Sequence, residues 1–219
     1  MNIVLLGSPA SGKGTQAEIL CQKFGLFHLS TGNIARKLAE TDERIKEMIN
    51  SGKLIPQEEM TMHVLDFLEH NKPSLKDILF EGFPRFISQY EALDNFLKDK
   101  GDGIDTVISL EVPMEVAIKR ISARWMCPKD GEIFNTETKP PQKPGICDKC
   151  RSTLIQRDDD KPESVKTRFE YYIQNTKGLI DYVDKKGKLT RVDGDRPIED
   201  IAKDLEEIVR KASLNHDKN

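Results

Sequence analysis

Gly7, Ser8, Pro9, Ala10, Ser11, Gly12, Lys13, Gly14 and Thr15 form a run rich in glycine and hydroxyls directly after the apolar residues Ile3-Val4-Leu5-Leu6. Ala17, Leu20, Cys21 and Phe24 then recur at helical spacing. The order strand, loop, helix gathers backbone N–H groups and the positive end of a helix around one point, an arrangement for an anion of high charge density. A nucleoside triphosphate is the expected ligand, with Lys13 as a point charge near its outer phosphates. The hydroxyl that normally meets Mg²⁺ directly after the lysine comes one residue later here, because Gly14 precedes Thr15. ATPases, GTPases and kinases all use such a loop, so other segments must decide the reaction.

The elements that position this loop show as alternating patterns. Apolar runs with strand character recur at Ile78-Leu79-Phe80, at Thr106-Val107-Ile108-Ser109-Leu110 and at Leu189-Thr190-Arg191-Val192. Helical patterns separate them. Ser88-Gln89-Tyr90-Glu91 has the form of a capping box ahead of Leu93, Phe96 and Leu97, and Pro113 stands where a helix would begin. Strands separated by helices predict an α/β fold: a parallel sheet with helices on both faces and a ligand crevice at the carboxyl ends of the strands. Two stretches break the alternation. Residues 30–55 read as helical and polar without a strand, and residues 126–158 carry Gly, Pro, Cys and short β-prone pieces. Both are expected to be insertions over the crevice. The tail from about Ser213 to Asn219 reads as frayed.

A chain of 219 residues accommodates one main domain with inserted lobes. Charged residues make up 32% with a net charge of −3, so nothing in the balance calls for a nucleic-acid or membrane partner. Met1 leads directly into the first strand and no apolar run reaches bilayer length, which sets a cytoplasmic protein as the expectation. In that compartment four cysteines are not expected to form a disulfide framework. Cys21 reads as a core residue. Cys127, Cys147 and Cys150 lie in one short region and read as a metal site.

Five separated motifs, in this order along the chain, resemble the adenylate kinases. They are the loop from Gly7 to Gln16, Ser30-Thr31-Gly32-Asn33-Ile34-Ala35-Arg36, Glu81-Gly82-Phe83-Pro84-Arg85 with Gln89, Arg120 with Arg124, and Arg157-Asp158-Asp159-Asp160 leading to Arg168. The resemblance runs from Met1 to about Ile208. It implies the P-loop nucleoside monophosphate kinase fold, with a core of residues 1–29, 56–122 and 161–219, an AMP-binding helical lobe at 30–55 and a lid at 123–160. It also implies reversible transfer of the γ-phosphoryl group of Mg-ATP to AMP, giving two ADP, by a monomer. Lys13, Arg85, Arg120, Arg124, Arg157 and Arg168 match the family's basic residues around the phosphates, and Arg36 matches its AMP-phosphate contact. Thr31 and Gln89, with the backbone from Lys53 to Ile55, match the groups that read the AMP base. Glu81 and Gly82 belong to the same binding motif, near the magnesium.

Two polyphosphates meeting end to end repel, so this reaction is mostly positioning and charge neutralisation, work suited to forked, permanently charged guanidinium groups. Arg120 and Arg124, four apart, are expected on one helix face, pointing at the same ligand. A single arginine in a chain this charged is ordinarily a solvated surface group, and only the motif context reverses that reading. Thr31 also reads as the cap of a helix ending near Leu38. The chain departs from the family pattern in three places: Glu81 and Asn33 stand where Asp is usual, and Ala10 where Gly is usual. A carboxylate one methylene longer still orients a Mg²⁺-bound water if the backbone leaves room, Asn33 removes one charge near the metal, and Ala10 restricts the loop backbone.

Cys127-Pro128-Lys129-Asp130, then sixteen residues, then Cys147-Asp148-Lys149-Cys150 has the spacing of two metal knuckles. Three thiolates and one carboxylate, Asp130 or alternatively Asp148, complete a tetrahedron around a structural Zn²⁺. The lids of many longer adenylate kinases resemble this, with four cysteines or three and an Asp. Lid closure of the adenylate kinase kind keeps water from the activated phosphoryl group. Asp160, followed by Pro162 and Glu163, reads as the N-cap of the next helix and as a hinge. Three other functions fit the residues less well. A UMP or CMP kinase of the same fold is disfavoured by Thr31 and the long lid. A nucleotide-sensing module is supported only by Glu81, Asn33 and Ala10, and Lys13 with six matching arginines opposes it. A GTPase-like switch lacks a guanine-reading Asn-Lys-x-Asp motif.

Overall fold

The computed structural model describes residues 1–72 and 74–216. Its centre is a five-stranded sheet in the order β2-β3-β1-β4-β7, with every pairing parallel. These strands are β1 (Asn2–Gly7), β2 (Phe27–Ser30), β3 (Ile78–Glu81), β4 (Thr106–Glu111) and β7 (Leu189–Asp193). A strand covered on both faces reads as a continuous apolar run, and β1 shows why. Val4 and Leu6 face a core built from α4 (Gln57–Asn71), α5 (Ile87–Asp99) and α8 (Lys177–Lys185). Ile3 and Leu5 face the opposite core, under α1 (Lys13–Phe24) and α9 (Ile198–His216). The period of two along the strand divides one tetrapeptide between two cores.

Strand β2 is absent from the sequence-based expectation. It is four residues long, sits at the sheet edge and alternates apolar Phe27 and Leu29 with polar His28 and Ser30, so it offers no apolar run. Only its register with β3, Phe27 opposite Ile78 and Ser30 opposite Glu81, makes it a strand. The capping-box reading is also corrected. Helix α5 begins at Ile87 with Phe86 as N-cap, and the Ser88 hydroxyl donates instead to Gln57 Oε1 at 3.1 Å. Pro113 does precede a helix, α6 (Met114–Ser122). The tail is ordered further than expected: α9 runs through His216, and residues 217–219 lie outside the described residues.

Two pieces rise from the carboxyl ends of the strands. The first holds α2 (Thr31–Leu38) and α3 (Glu43–Asn50). The second holds the antiparallel hairpin of β5 (Arg124–Met126) and β6 (Ile133–Asn135), with bridges from Met126 to Ile155 and from Ile146 to Thr153. Its small core is Cys127, Phe134, Cys147 and Leu154, with Trp125 and Cys150 packed against it. Helix α7 (Pro162–Tyr171) returns the chain to the core, where Val165 and Phe169 meet Ala117 and Ile121 of α6. No described helix is long and apolar enough to cross a membrane.

Candidate active site

Between the two inserted pieces and the strand ends lies a cleft of about 880 Å³. The loop after β1 forms its floor. Gly7 has φ 147 and lies so close to β4 that a Cβ there would sit 2.3 Å from the Leu110 carbonyl oxygen. Gly12, the N-cap of α1, has φ 95. Ala10 also sits in the left-handed region, at φ 55, which costs an alanine about 1–2 kcal/mol and a glycine almost nothing. The alanine therefore keeps the loop conformation that a glycine would favour.

Lys13 folds back over this loop. Its Nζ donates to the Gly7 carbonyl at 2.9 Å, the Ser8 carbonyl at 2.6 Å and Ser11 Oγ at 3.3 Å. Burial pushes its ammonium down to about 7, with Arg85, Arg168 and Arg124 adding to the fall and Glu81 opposing it. An anion in the loop would restore the full charge. Glu81 shows the opposite balance. Burial alone would raise its pKa, but contact with His28, the Lys13 charge and the Ser30 hydroxyl bring it down to about 2. Ser30 Oγ donates to Glu81 Oε2 at 2.7 Å and His28 Nε2 lies 3.7 Å away. An ionised carboxylate at the cleft wall is an oxygen donor of the kind that orients Mg²⁺-bound water, so the longer side chain fits that role. Asn33 Oδ1 instead accepts from Arg36 Nη2 at 2.5 Å.

Four of the six arginines come from separate elements, α2, α6, β5 and α7, while Arg85 and Arg157 sit in loops, and one expectation fails. Helix α6 ends at Ser122, so Arg120 is on its last turn while Arg124 opens β5; they are not on one helix face. Both still line the cleft, as do Arg36, Arg85, Arg157 and Arg168. Arg85 Nε donates to the Gly82 carbonyl at 2.8 Å, and Arg120 lies 3.5 Å from Asp195. The other three rest on two buried aspartates. Asp160 accepts Arg124 Nε at 2.8 Å and Arg124 Nη2 in a second, closer bond. Asp159 accepts Arg157 Nε at 2.8 Å and Arg168 Nη1 at 3.0 Å. Although burial opposes it, Arg157 and Arg168 hold the Asp159 carboxyl below its usual range. Asp160 is thus not a helix cap: the N-cap of α7 is Lys161, and the Asp160 carboxylate is spent on Arg124. Sequence reasoning missed this acidic seat, although three aspartates directly after Arg157 were its visible signal.

Around the expected acceptor base, Thr31 begins α2 and Ser30 is its N-cap, so Thr31 is not the cap. Gly82 brings the backbone close to Thr31, since a Cβ there would lie 2.7 Å from Thr31 Oγ1. Gln89 accepts from the Arg85 N–H at 2.9 Å and donates to the Gln57 carbonyl at 3.1 Å, which sets it as a brace between two cleft walls. Lys53 and Ile55 line the same wall. His28 was not expected here, and Gln16 closes the expected loop motif with no role assigned to its side chain. Gln16 lies buried on α1 and donates to the Ile198 carbonyl at 3.0 Å, tying the loop helix to the start of α9.

In the hairpin piece, the ligand atoms of Cys127, Asp130, Cys147 and Cys150 all lie within 4.8 Å of one another. The Cys127 and Cys150 sulfurs are 3.3 Å apart, and Cys147 Sγ is 3.2 Å from Asp130 Oδ2. Tetrahedral Zn–S bonds of about 2.3 Å place sulfurs about 3.7 Å apart, so this donor set fits zinc with small adjustments. Asp148 is not in the group, because its Oδ1 accepts the Gln142 N–H at 2.9 Å.

The sequence model of the family described as "Adenylate kinase" matches residues 5–188. A protein named adenylate kinase from Caldanaerobacter subterraneus subsp. tengcongensis is 43% identical over 209 residues, 94% of each chain. One of the same name from Archaeoglobus fulgidus is 41% identical over 215 residues, covering 96% of this chain and 99% of its own. Another, from Oceanobacillus iheyensis, is 40% identical over 215 residues, with 96% and 100% covered. Similarity of this extent, over a cleft that gathers a phosphate loop and six arginines, means that the chain belongs to the adenylate kinase family and is a nucleoside monophosphate kinase.

Proposed function

We propose that the cleft carries reversible transfer of the γ-phosphoryl group of Mg-ATP to AMP, giving two ADP. The observation that carries this reading is the convergence of Lys13, Arg36, Arg85, Arg120, Arg124, Arg157 and Arg168 on one cavity, with three of the arginines already seated on Asp159 and Asp160. Such a set of cations is mutually repulsive until phosphates enter between them. Lys13 and the backbone N–H groups of the loop between Gly7 and Thr15, Pro9 excepted, bind the donor's outer phosphates. Arg36 and Arg85 hold the acceptor phosphate, with Thr31, Gln89 and the backbone from Lys53 to Ile55 around its base. Arg120, Arg124, Arg157 and Arg168 neutralise the charge that spreads over the equatorial oxygens during transfer. Glu81 is the carboxylate that would hold the water shell of a Mg²⁺ ion entering with the donor, and that ion would supply charge to lower the repulsion among the phosphates.

In this reading residues 30–55 are the acceptor lobe, 123–160 the lid, and the remainder the core. Cys127, Asp130, Cys147 and Cys150 are the residues that would hold a structural Zn²⁺, in a lobe whose own core is only a few side chains. Initial rates with Mg-ATP and each of AMP, UMP, CMP and GMP, with zinc content measured on the same sample, test it. ADP formation with AMP alone is expected. Comparable transfer to UMP or CMP would overturn the acceptor assignment, and no transfer at all would overturn the assignment of the reaction to this cleft.

A further inference from the structure

The lobe at 30–55 meets the helix that carries Arg168 at one tight point. Ser164 is the third residue of α7 and is buried, and its Oγ donates to the carbonyl of Asn50, the last residue of α3, at 2.6 Å. The last carbonyls of a helix lack intrahelical donors, and here a side chain 114 residues away supplies one. Two residues further, Gly52 has φ 76 and its α-carbon lies directly against α7. A Cβ at Gly52 would sit 2.3 Å from the Ser164 carbonyl oxygen and 3.0 Å from Ser164 Cα. Both sides of this approach are backbone, so neither side can turn away as a flexible side chain would.

The contact links two halves of the site that share no neighbouring sequence. Gly52 leads directly into Lys53 to Ile55 at the cleft wall. Ser164 follows the turn of Asp158–Asp160, which lies next to α3, and precedes Arg168 on the same helix. We propose that the contact of Gly52 and Asn50 with Ser164 is a latch that seats the acceptor lobe against α7, so that acceptor binding and the placement of Arg157 and Arg168 favour one another. This rests on the reading of residues 30–55 as the acceptor lobe. Gly52 and Ser164 are then positioning residues. Glycine is required at 52 because any side chain holds the lobe away, and a hydroxyl at 164 because it completes the closed arrangement. Coupling of this kind is reciprocal, so the latch also strengthens the mutual enhancement of acceptor and donor binding.

The test uses the full-length protein with Ser164→Ala, Ser164→Thr and Gly52→Ala. Loss of one buried hydrogen bond corresponds to about a fivefold change in a binding constant. Ser164→Ala is therefore expected to raise the KM for AMP about fivefold while leaving the KM for Mg-ATP measured without AMP saturation close to wild type, and to lower the thermal midpoint by only about 2–4 °C. Ser164→Thr, which keeps the hydroxyl, should restore the KM for AMP. Gly52→Ala should raise it by more than tenfold, on the order expected when a backbone contact cannot close. Calorimetry with a non-hydrolysable ATP analogue, with and without AMP, should show the mutual enhancement reduced by the same factor as the KM. A KM for AMP within twofold of wild type in both Ser164→Ala and Gly52→Ala, with wild type turning over AMP, would overturn the latch alone. Equal rises for both substrates would also overturn it, as a purely structural contact. A wild type that does not use AMP would overturn the acceptor-lobe reading and the latch together.

Discussion

Asp160 and Arg124 form a pair whose energy can be worked out from their surroundings. Asp160 leaves 4% of its side chain exposed and Arg124 leaves 14%. The carboxylate accepts both arms of the Arg124 fork and lies 3.4 Å from Arg168 Nη1. Asp160→Ala removes every acceptor on that side and leaves a guanidinium buried without its counter-ion, a loss of about 3–5 kcal/mol in such pairs. Arg168 keeps Asp159 at 3.0 Å, and Arg124 can turn into the cleft and be hydrated. The lower end of that range, about 3 kcal/mol, is therefore expected. In a chain of this size it lowers the thermal midpoint by about 6–12 °C. Arg124→Ala alone should cost less, about 2 kcal/mol, because Asp160 retains the charge of Arg168. Once one partner is gone, removing the other costs little, so the double variant should fall short of the sum by about 2 kcal/mol. Urea and thermal unfolding of the four proteins of this cycle, without nucleotide, measure the quantity. A double variant equal to the sum of the singles within about 0.5 kcal/mol would refute the claim that Asp160 seats Arg124.

Three further outcomes are expected. Lys13 has a pKa of about 7 in the free protein, below its ordinary value, so the folded chain binds fewer protons than the unfolded one between pH 7 and about 10.4 and this group's contribution to stability rises with pH there. Triphosphate binding at pH 8 should then take up about one proton, read by calorimetry in buffers of different ionisation enthalpy, and binding without proton uptake would contradict the burial argument. Gly7→Ala should destabilise by about 2 kcal/mol or more, because the Leu110 carbonyl cannot yield, whereas Gly14→Ala, with no atom near the added carbon, should be neutral or stabilise α1 by about 0.5 kcal/mol in chemical denaturation. Chelation of the protein loaded with zinc should shift the emission of Trp125, the only tryptophan, which packs on the cysteine cluster, while most helical circular dichroism remains; an unchanged spectrum would count against a structural metal.

Much of the site was legible because its parts are local. The phosphate loop, the strand before it and the helix after it are adjacent in sequence, and the glycines report backbone requirements that no other residue meets as easily. The parallel α/β class followed from apolar runs whose two-sided burial needs no knowledge of partners. The cysteine spacing pointed to a metal knuckle for the same reason. What only the tertiary structure decided depends on register and on residues distant in sequence. Strand β2 exists because β3 pairs with it, and that register sets Ser30 and His28 beside Glu81. Asp160 reads locally as a cap, yet the end of α6 and the turn into β5 bring Arg124 to it from 36 residues away. The sequence left Asp130 and Asp148 both open as the fourth ligand, and only the fold of the hairpin piece turns one toward the three sulfurs and the other toward Gln142. The sequence by itself determined the kinds of groups present and the local backbone that carries them; which carboxylate meets which cation, and which lobe meets which helix, was decided by the packing of the assembled chain, because those free energies arise only between surfaces that folding brings together.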